Sequence, residues 1–194
     1  MWNDTDTPLA FLITFRCYGT WLHGDKRGSV DRHNNNYGSP RIIESPHWLD
    51  ISTNRLLNEP VSLDVRSRSS VEKAIRETCK KRNWGMLGIN VRTNHVHTVI
   101  AIGAKKPEIA LIAFKANATR QMREDGFWPF DYSPWAEKGS RRYLWNERSV
   151  AEAVEYVVNG QGDELPKLRR PLSEPGAVAT GDFFSPQRFR ILAF

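Results

Sequence analysis

The stretch that decides the fold is WGMLGINVRTNHVHTVIAI, residues 84–102. Two runs rich in apolar and β-branched residues, Trp84–Val91 and Asn94–Ile102, flank Arg92-Thr93, and this pattern predicts an antiparallel hairpin closed by a tight turn at that dipeptide. Its second arm carries His95 and His97 on either side of Val96. Strand residues alternate between faces, so both imidazoles project from the same face and set two neutral nitrogen ligands side by side for a divalent metal. A satisfied pair on a half-exposed strand is the plainer alternative.

Working outward, Leu9–Arg16 (LAFLITFR) reads as a buried strand. Residues 17–47 are dense in Gly, Asn, Asp and Ser and predict a long loop, punctuated by Tyr18, Trp21, Leu22, Val30 and Tyr37. Ile51–Arg68 is ambiguous. Ser69 and Ser70 offer an N-cap to a helix whose apolar positions are Val71, Ala74, Ile75, Thr78 and Cys79, with Lys80, Lys81 and Arg82 at its cation-favouring end. Pro107 opens another helix with Ile109, Leu111, Ile112, Phe114 and Ala118 on its apolar face. Asp125–Gly139 reads as a connector, Ser140–Trp145 as a strand, and Asn146 caps a last helix over Glu147–Asn159, stopped by Gly160 and Gly162. The order strand, helix, strand, strand, helix, strand, helix predicts a ferredoxin-like α+β fold: an antiparallel sheet with helices packed mainly on one face and the histidine strand central. One domain over 1–165 is expected, followed by an extended basic, Pro-containing arm over 166–194.

The 194 residues carry a net charge of +6, and 26% are Asp, Glu, Lys or Arg. A basic balance suits polyanionic partners. The two cysteines, Cys17 and Cys79, form no zinc-ligand spacing, and they are expected as reduced thiols of a cytoplasmic protein. No apolar run is long enough for a transmembrane helix, so no membrane partner is expected.

Tyr156 is misplaced for packing. On a helical wheel it falls about 145° from the centre of the sector formed by Val150, Ala151, Ala153, Val154, Val157 and Val158. It shares the polar side with Glu152 and Asn159.

Several stretches resemble the single-tyrosine HUH transposases, in particular the REP-associated tyrosine transposases and their relatives. Asn94-His95-Val96-His97 resembles their histidine motif, and Tyr156–Gln161 (YVVNGQ) their nucleophile helix. Tyr18–Asp25 (YGTWLHGD), Gly28–Asp31 and Arg142–Trp145 are also similar to stretches of one bacterial branch, and the likeness spans about Pro8 to Gly162. The resemblance implies cleavage and rejoining of single-stranded or hairpin DNA. Tyr156 would be the nucleophile, and Mg²⁺ or Mn²⁺ would be held by His95, His97 and a third ligand. That third ligand is expected four residues after the tyrosine, where this chain has Gly160. Gln161 is the favoured substitute, ahead of Asn159 and then Glu152. A homodimer donating the tyrosine helix in trans and a monomer are both open.

Arg16, Lys115, Arg120, Arg141 and Arg142 are the expected phosphate contacts. Trp21, Trp135 and Trp145 are candidate stacking surfaces for unpaired bases. His23, Asp25 and Asp31 could approach the site, though loop residues of these types more often make local turns. His33 and His47 read as surface residues. A nucleic-acid-binding module without catalysis, or a metal-dependent nuclease that uses water, are the competing functions.

Overall fold

The computed structural model describes residues 7–26, 28 and 43–168. Asp31, His33, Ser29-Val30 and the arm beyond 168 lie outside the described residues.

Four strands form one antiparallel sheet in the order β2-β3-β1-β4, with β1 at Ala10–Cys17, β2 at Gly85–Val91, β3 at His95–Ala101 and β4 at Trp135–Leu144. Four helices complete the fold: α1 (Pro46–Asn54), α2 (Val65–Arg82), α3 (Pro107–Glu124) and α4 (Glu147–Val158). This is the ferredoxin-like α+β arrangement, with the histidine strand β3 inside the sheet.

Period-two alternation sorts the strands into two faces. Phe11, Ile13, Phe15 and Cys17 of β1, with Val96 and Ile100 of β3, pack beneath α2 and α3 in the main core. Ala10, Val99 and Leu144 point the other way and meet Ala153 and Val157 of α4. The two longest helices thus share one face and α4 covers the other. His95 and His97, in phase with Val99, belong to the α4 face. Burying these apolar side chains on both faces is worth about 1.5–3 kcal/mol for each large one.

Several boundaries differ from the sequence expectation for local reasons. The hairpin turn sits at Thr93-Asn94, one residue later than expected: Val91 pairs with Val96, and Arg92 N–H donates to His95 O at 2.8 Å. That turn is pinned from outside, because its carbonyls accept from Leu63 N (2.6 Å) and Cys17 N (2.9 Å). Helix α2 begins at Val65, where the Asp64 carboxylate accepts from Ser67 N at 2.7 Å, so Ser69 and Ser70 are interior. The buried Ser70 hydroxyl instead donates to Asp125 Oδ2. Part of the predicted loop and of the ambiguous stretch is α1, with Ser45 as N-cap and Pro46 in its first turn. Strand β4 starts at Trp135, inside the expected connector. Its second half is the strand expected at Ser140–Trp145, and its start is masked by a register shift opposite Phe15/Cys17, where extra residues interrupt alternation.

Candidate active site

Strand register lays out the site. Thr14 of β1 and Asn90 of β2 both pair with His97, and paired residues share a face. The row Thr14-His97-Asn90 therefore crosses three strands under α4. Thr14 Oγ1 lies 2.6 Å from His97 Nδ1. With Nδ1–H donating to that hydroxyl, the lone pair of His97 is on Nε2. Asn90 Nδ2 donates to Val157 O at 2.9 Å and ties the end of α4 to the sheet. The result is an edge-to-face contact of the His97 and Tyr156 rings, centroids 5.5 Å apart.

The second histidine is fixed by its neighbour. Asn94 Oδ1 can only accept, so at 2.7 Å it takes the Nδ1 proton of His95 and puts the lone pair on Nε2. The His95 and His97 rings are 4.6 Å apart, centroid to centroid. His97 is only 7% exposed, and burial, followed by the neighbouring His95, pushes it down to about pKa 4, so it is neutral near pH 7.

The chain after α4 folds back onto this pair. Asn159 N–H and Gly160 N–H return to Glu155 O and Tyr156 O. Gln161 Nε2 donates to Tyr156 O at 2.9 Å, which fixes the amide so that Oε1 points at His95 Nε2, 3.4 Å away. With the His95 proton on Nδ1, both facing atoms carry lone pairs. Two acceptors about 3.0–3.4 Å apart are what one cation with bonds of about 2.1 Å at 90–110° requires. Neutral imidazole nitrogens and an amide oxygen are donors that can share a divalent cation. The residues present fit such an ion, although no cluster of three or more His, Cys, Asp or Glu side chains occurs among the described residues.

Gly160 permits this fold-back. A Cβ there would stand 2.8 Å from Tyr156 O and 3.2 Å from Tyr156 Cδ2. The position one turn after the tyrosine is filled by the tyrosine itself. The other two ligand candidates point elsewhere: Asn159 Nδ2 donates to both carboxylate oxygens of Glu155 at 2.9 Å, and Glu152 accepts from Arg148 Nε at 2.8 Å.

The basic candidates divide by face. Arg16 pairs with His95 in the β1–β3 register, and Arg142 pairs with Leu12, so both stand on the histidine face. Arg141, one residue out of phase, forms an ion pair with Glu108 of α3 at 3.2 Å on the opposite face. Arg120 is on α3, paired with Glu124 at 3.6 Å. Lys115 is engaged within the chain. Its ammonium spends all three donors on Ala136 O, Glu137 O and Lys138 O at 2.7–3.0 Å, closing the irregular start of β4. Burial lowers its pKa, with Glu137 opposing and Arg16 assisting the shift.

Trp135 is likewise a core residue, buried edge-to-face on Phe15 with Nε1 donating to Lys115 O and Thr119 Oγ1. Trp145 is exposed and stacks on Tyr143, at the far end of β4 from the histidines. Trp21 lies under the Arg16 guanidinium. His23 sits on the adjoining loop, and His47 is exposed on α1. Thr14, Asn90 and Asn94 had no role in the sequence reading. Thr14 and Asn90 are visible only through register, whereas Asn94 stands beside His95 in the quoted motif.

No protein-family model and no curated protein matches the chain. Solved structures do. One is a REP-associated tyrosine transposase bound to a REP hairpin, at 9% identity and TM-score 0.46, with 81% of this chain and 67% of that one covered. Another is a protein of Deinococcus radiodurans R1 assigned as a transposase, at 10% identity and TM-score 0.39, covering 80% and 92%. These are likenesses of fold. They transfer no residue role. Among the described residues no helix is long and apolar enough to cross a membrane.

Proposed function

We propose that this chain cleaves and rejoins single-stranded or hairpin DNA through a covalent bond to Tyr156. The observation that carries the reading is the convergence of His95 Nε2 and Gln161 Oε1, 3.4 Å apart, beside the His97–Tyr156 ring contact. A hydroxyl nucleophile and a set of oriented lone pairs meet on one face of the sheet, with Arg16 next to them.

Tyr156 is 47% exposed, so a phosphodiester can reach its hydroxyl from solvent. Tyrosine oxygen attacks phosphorus and loses its proton to water. The P–O3′ bond breaks, leaving a 5′-phosphotyrosine and a 3′-oxygen that takes a proton from water. Attack by a 3′-hydroxyl on the phosphotyrosine reverses these steps and needs no nucleotide cofactor, because the phosphodiester energy is kept in the covalent bond. His95, His97 and Gln161 would hold Mg²⁺ or Mn²⁺, which supplies positive charge to the phosphate oxygens. Asn94 and Thr14 hold the imidazole tautomers, and Asn90 holds the nucleophile helix over its own chain's histidines, an arrangement suited to a tyrosine acting in cis. The net charge of +6 suits a polyanionic substrate.

The test is a denaturing gel with end-labelled hairpin oligonucleotides and Mg²⁺. A protein–DNA adduct is expected with the native chain and none with Tyr156→Phe, which should retain DNA binding. Cleavage without an adduct would favour a nuclease that uses water. Binding with neither would favour a non-catalytic module.

A further inference from the structure

Between the 18–25 segment and α1 lies an open pocket of about 340 Å³. That is the small end of the range for ligand sites, about 300–1,000 Å³. Trp21, Leu49, Leu56 and Pro60 give it apolar walls, and Asn94 is part of its lining. Asn94 is also the residue whose Oδ1 holds His95, so one residue both lines the pocket and holds a candidate metal ligand.

The pocket is built on held elements. Thr20 Oγ1 donates to Cys17 O (2.7 Å) and Asn94 O (3.3 Å), fastening the segment to the end of β1 and to the hairpin turn. Gly24 allows α1 to close on it: its φ is +89°, and a Cβ there would lie 2.3 Å from Ser45 O and 2.5 Å from Leu49 N. Trp21 has φ +56°, a region bulky residues rarely adopt. It is kept there by Nε1–H donation to Gly28 O at 2.6 Å, by Arg16 Nη1 donating to its carbonyl at 2.9 Å, and by the Arg16 guanidinium over its ring at 5.2 Å. Strained residues held from several sides concentrate at ligand clamps.

We infer that this pocket seats one unpaired nucleobase of the strand whose phosphate lies at His95 and His97. The inference rests on the proposed DNA substrate. The chemistry matches a base rather than a phosphate or a lipid. The lining mixes those apolar walls with the polar Thr20, Asp25, Thr53 and Asn94, which suits the flat face and polar edge of a base, and no Lys or Arg is among its lining residues. Asn94 spends its oxygen on His95, which leaves Nδ2 to donate to a base carbonyl or ring nitrogen. Asn94 and His95 are consecutive residues, so an occupant of the pocket and a phosphate at the histidines lie within one nucleotide's reach. The seated base fixes which phosphate faces Tyr156.

The experiment compares binding of fluorescein-labelled oligothymidylate, about a dozen nucleotides long, with an abasic oligomer of equal length and charge, in EDTA so that no cleavage intervenes. The full chain should bind the base-bearing strand about tenfold more tightly than the abasic one. Thr53→Trp, at an exposed position of α1 on the pocket, should remove most of that preference and leave abasic binding unchanged. Leu49→Ala, which opens the wall, should reduce the preference in the same selective way. Equal affinity of the native chain for both strands overturns the pocket assignment while leaving the DNA reading intact. So does a Thr53→Trp variant that keeps the full preference, or one that loses affinity for both strands alike. Failure to bind either strand overturns the DNA reading, and the pocket inference with it.

Discussion

Replacing Gly160 separates the proposed ligand geometry from the one expected by resemblance. A Cβ at this position would meet Tyr156 O at 2.8 Å and Tyr156 Cα at 3.1 Å, so the backbone after α4 must move. Tyr156 O accepts from both Gly160 N (3.0 Å) and Gln161 Nε2 (2.9 Å). Losing both bonds costs about 1–3 kcal/mol, at about 0.5–1.5 kcal/mol each. Because the segment lies just past the exposed end of α4, the effect on global stability should not exceed that range. The effect on the site should be larger. Without its bond to Tyr156 O, the Gln161 amide no longer aims Oε1 at His95, and a misplacement of about 1 Å at a reacting centre can cost about 100-fold in rate. Gly160→Ala should therefore lower the single-turnover rate of adduct formation 10–100-fold by this estimate, with Mn²⁺ affinity, read by electron paramagnetic resonance, falling alongside it. Gly160→Gln places a glutamine one turn after the tyrosine and should be no better than Gly160→Ala. If Gly160→Gln matches or exceeds the native chain in both adduct rate and Mn²⁺ affinity, the argument that Gln161 takes over the ligand's place is refuted.

Three further outcomes follow from the same geometry. His97 stays neutral when folded down to about pH 4, against 6.5 for the free side chain. Above 6.5 it is neutral in both states. As pH falls from 6.5 to 4 only the unfolded chain takes up the proton, and stability drops by about 3 kcal/mol in all. Urea unfolding in EDTA at the two ends of this window should show that drop for the native chain and a clearly smaller one for His97→Gln; equal losses would refute the burial argument. Lys115→Met removes three charge-assisted bonds to the start of β4 and should cost about 2–4 kcal/mol in urea unfolding while leaving the salt dependence of DNA binding unchanged. Arg142→Ala, exposed on the histidine face, should do the reverse: stability within about 0.5 kcal/mol of native and a salt slope smaller by about 1.

What the sequence made legible was periodic. The alternation in residues 84–102 places His95 and His97 on one face without any tertiary knowledge, and the 3.6-residue pattern of α4 turns Val157 inward and Tyr156 outward. What it concealed was set by pairing across long separations. Thr14 and His97 are 83 residues apart, and their contact depends on a register that no local pattern encodes. The same is true of Asn90 and Val157, 67 residues apart. The strand expected at Ser140–Trp145 is there, and only the first part of β4 escaped, because the carbonyls of residues 136–138 converge on a lysine instead of continuing the ladder, so the alternation is broken there. Lys115 is the reciprocal case. A basic residue on a helix of a basic protein reads as a phosphate contact, and only the position of that interruption reveals its role.

Gly160 is the most instructive of the sequence's departures, because its meaning depends on the residues on either side. As an isolated feature it ends a helix and removes an expected ligand. In the structure it clears room against the Tyr156 ring, and the next residue uses that room to bond the Tyr156 carbonyl and face His95. The backbone of the proposed nucleophile and the candidate ligand are thereby coupled through one carbonyl oxygen. A shift of α4 along the sheet would move the Tyr156 hydroxyl and the Gln161 amide together. Asn90, by holding Val157 O, sets where that paired unit stands relative to His97. Asn90→Ala removes that bond at a cost of about 1 kcal/mol. It should lower adduct formation and Mn²⁺ affinity in parallel, while an independent ligand and nucleophile would let the two readouts diverge.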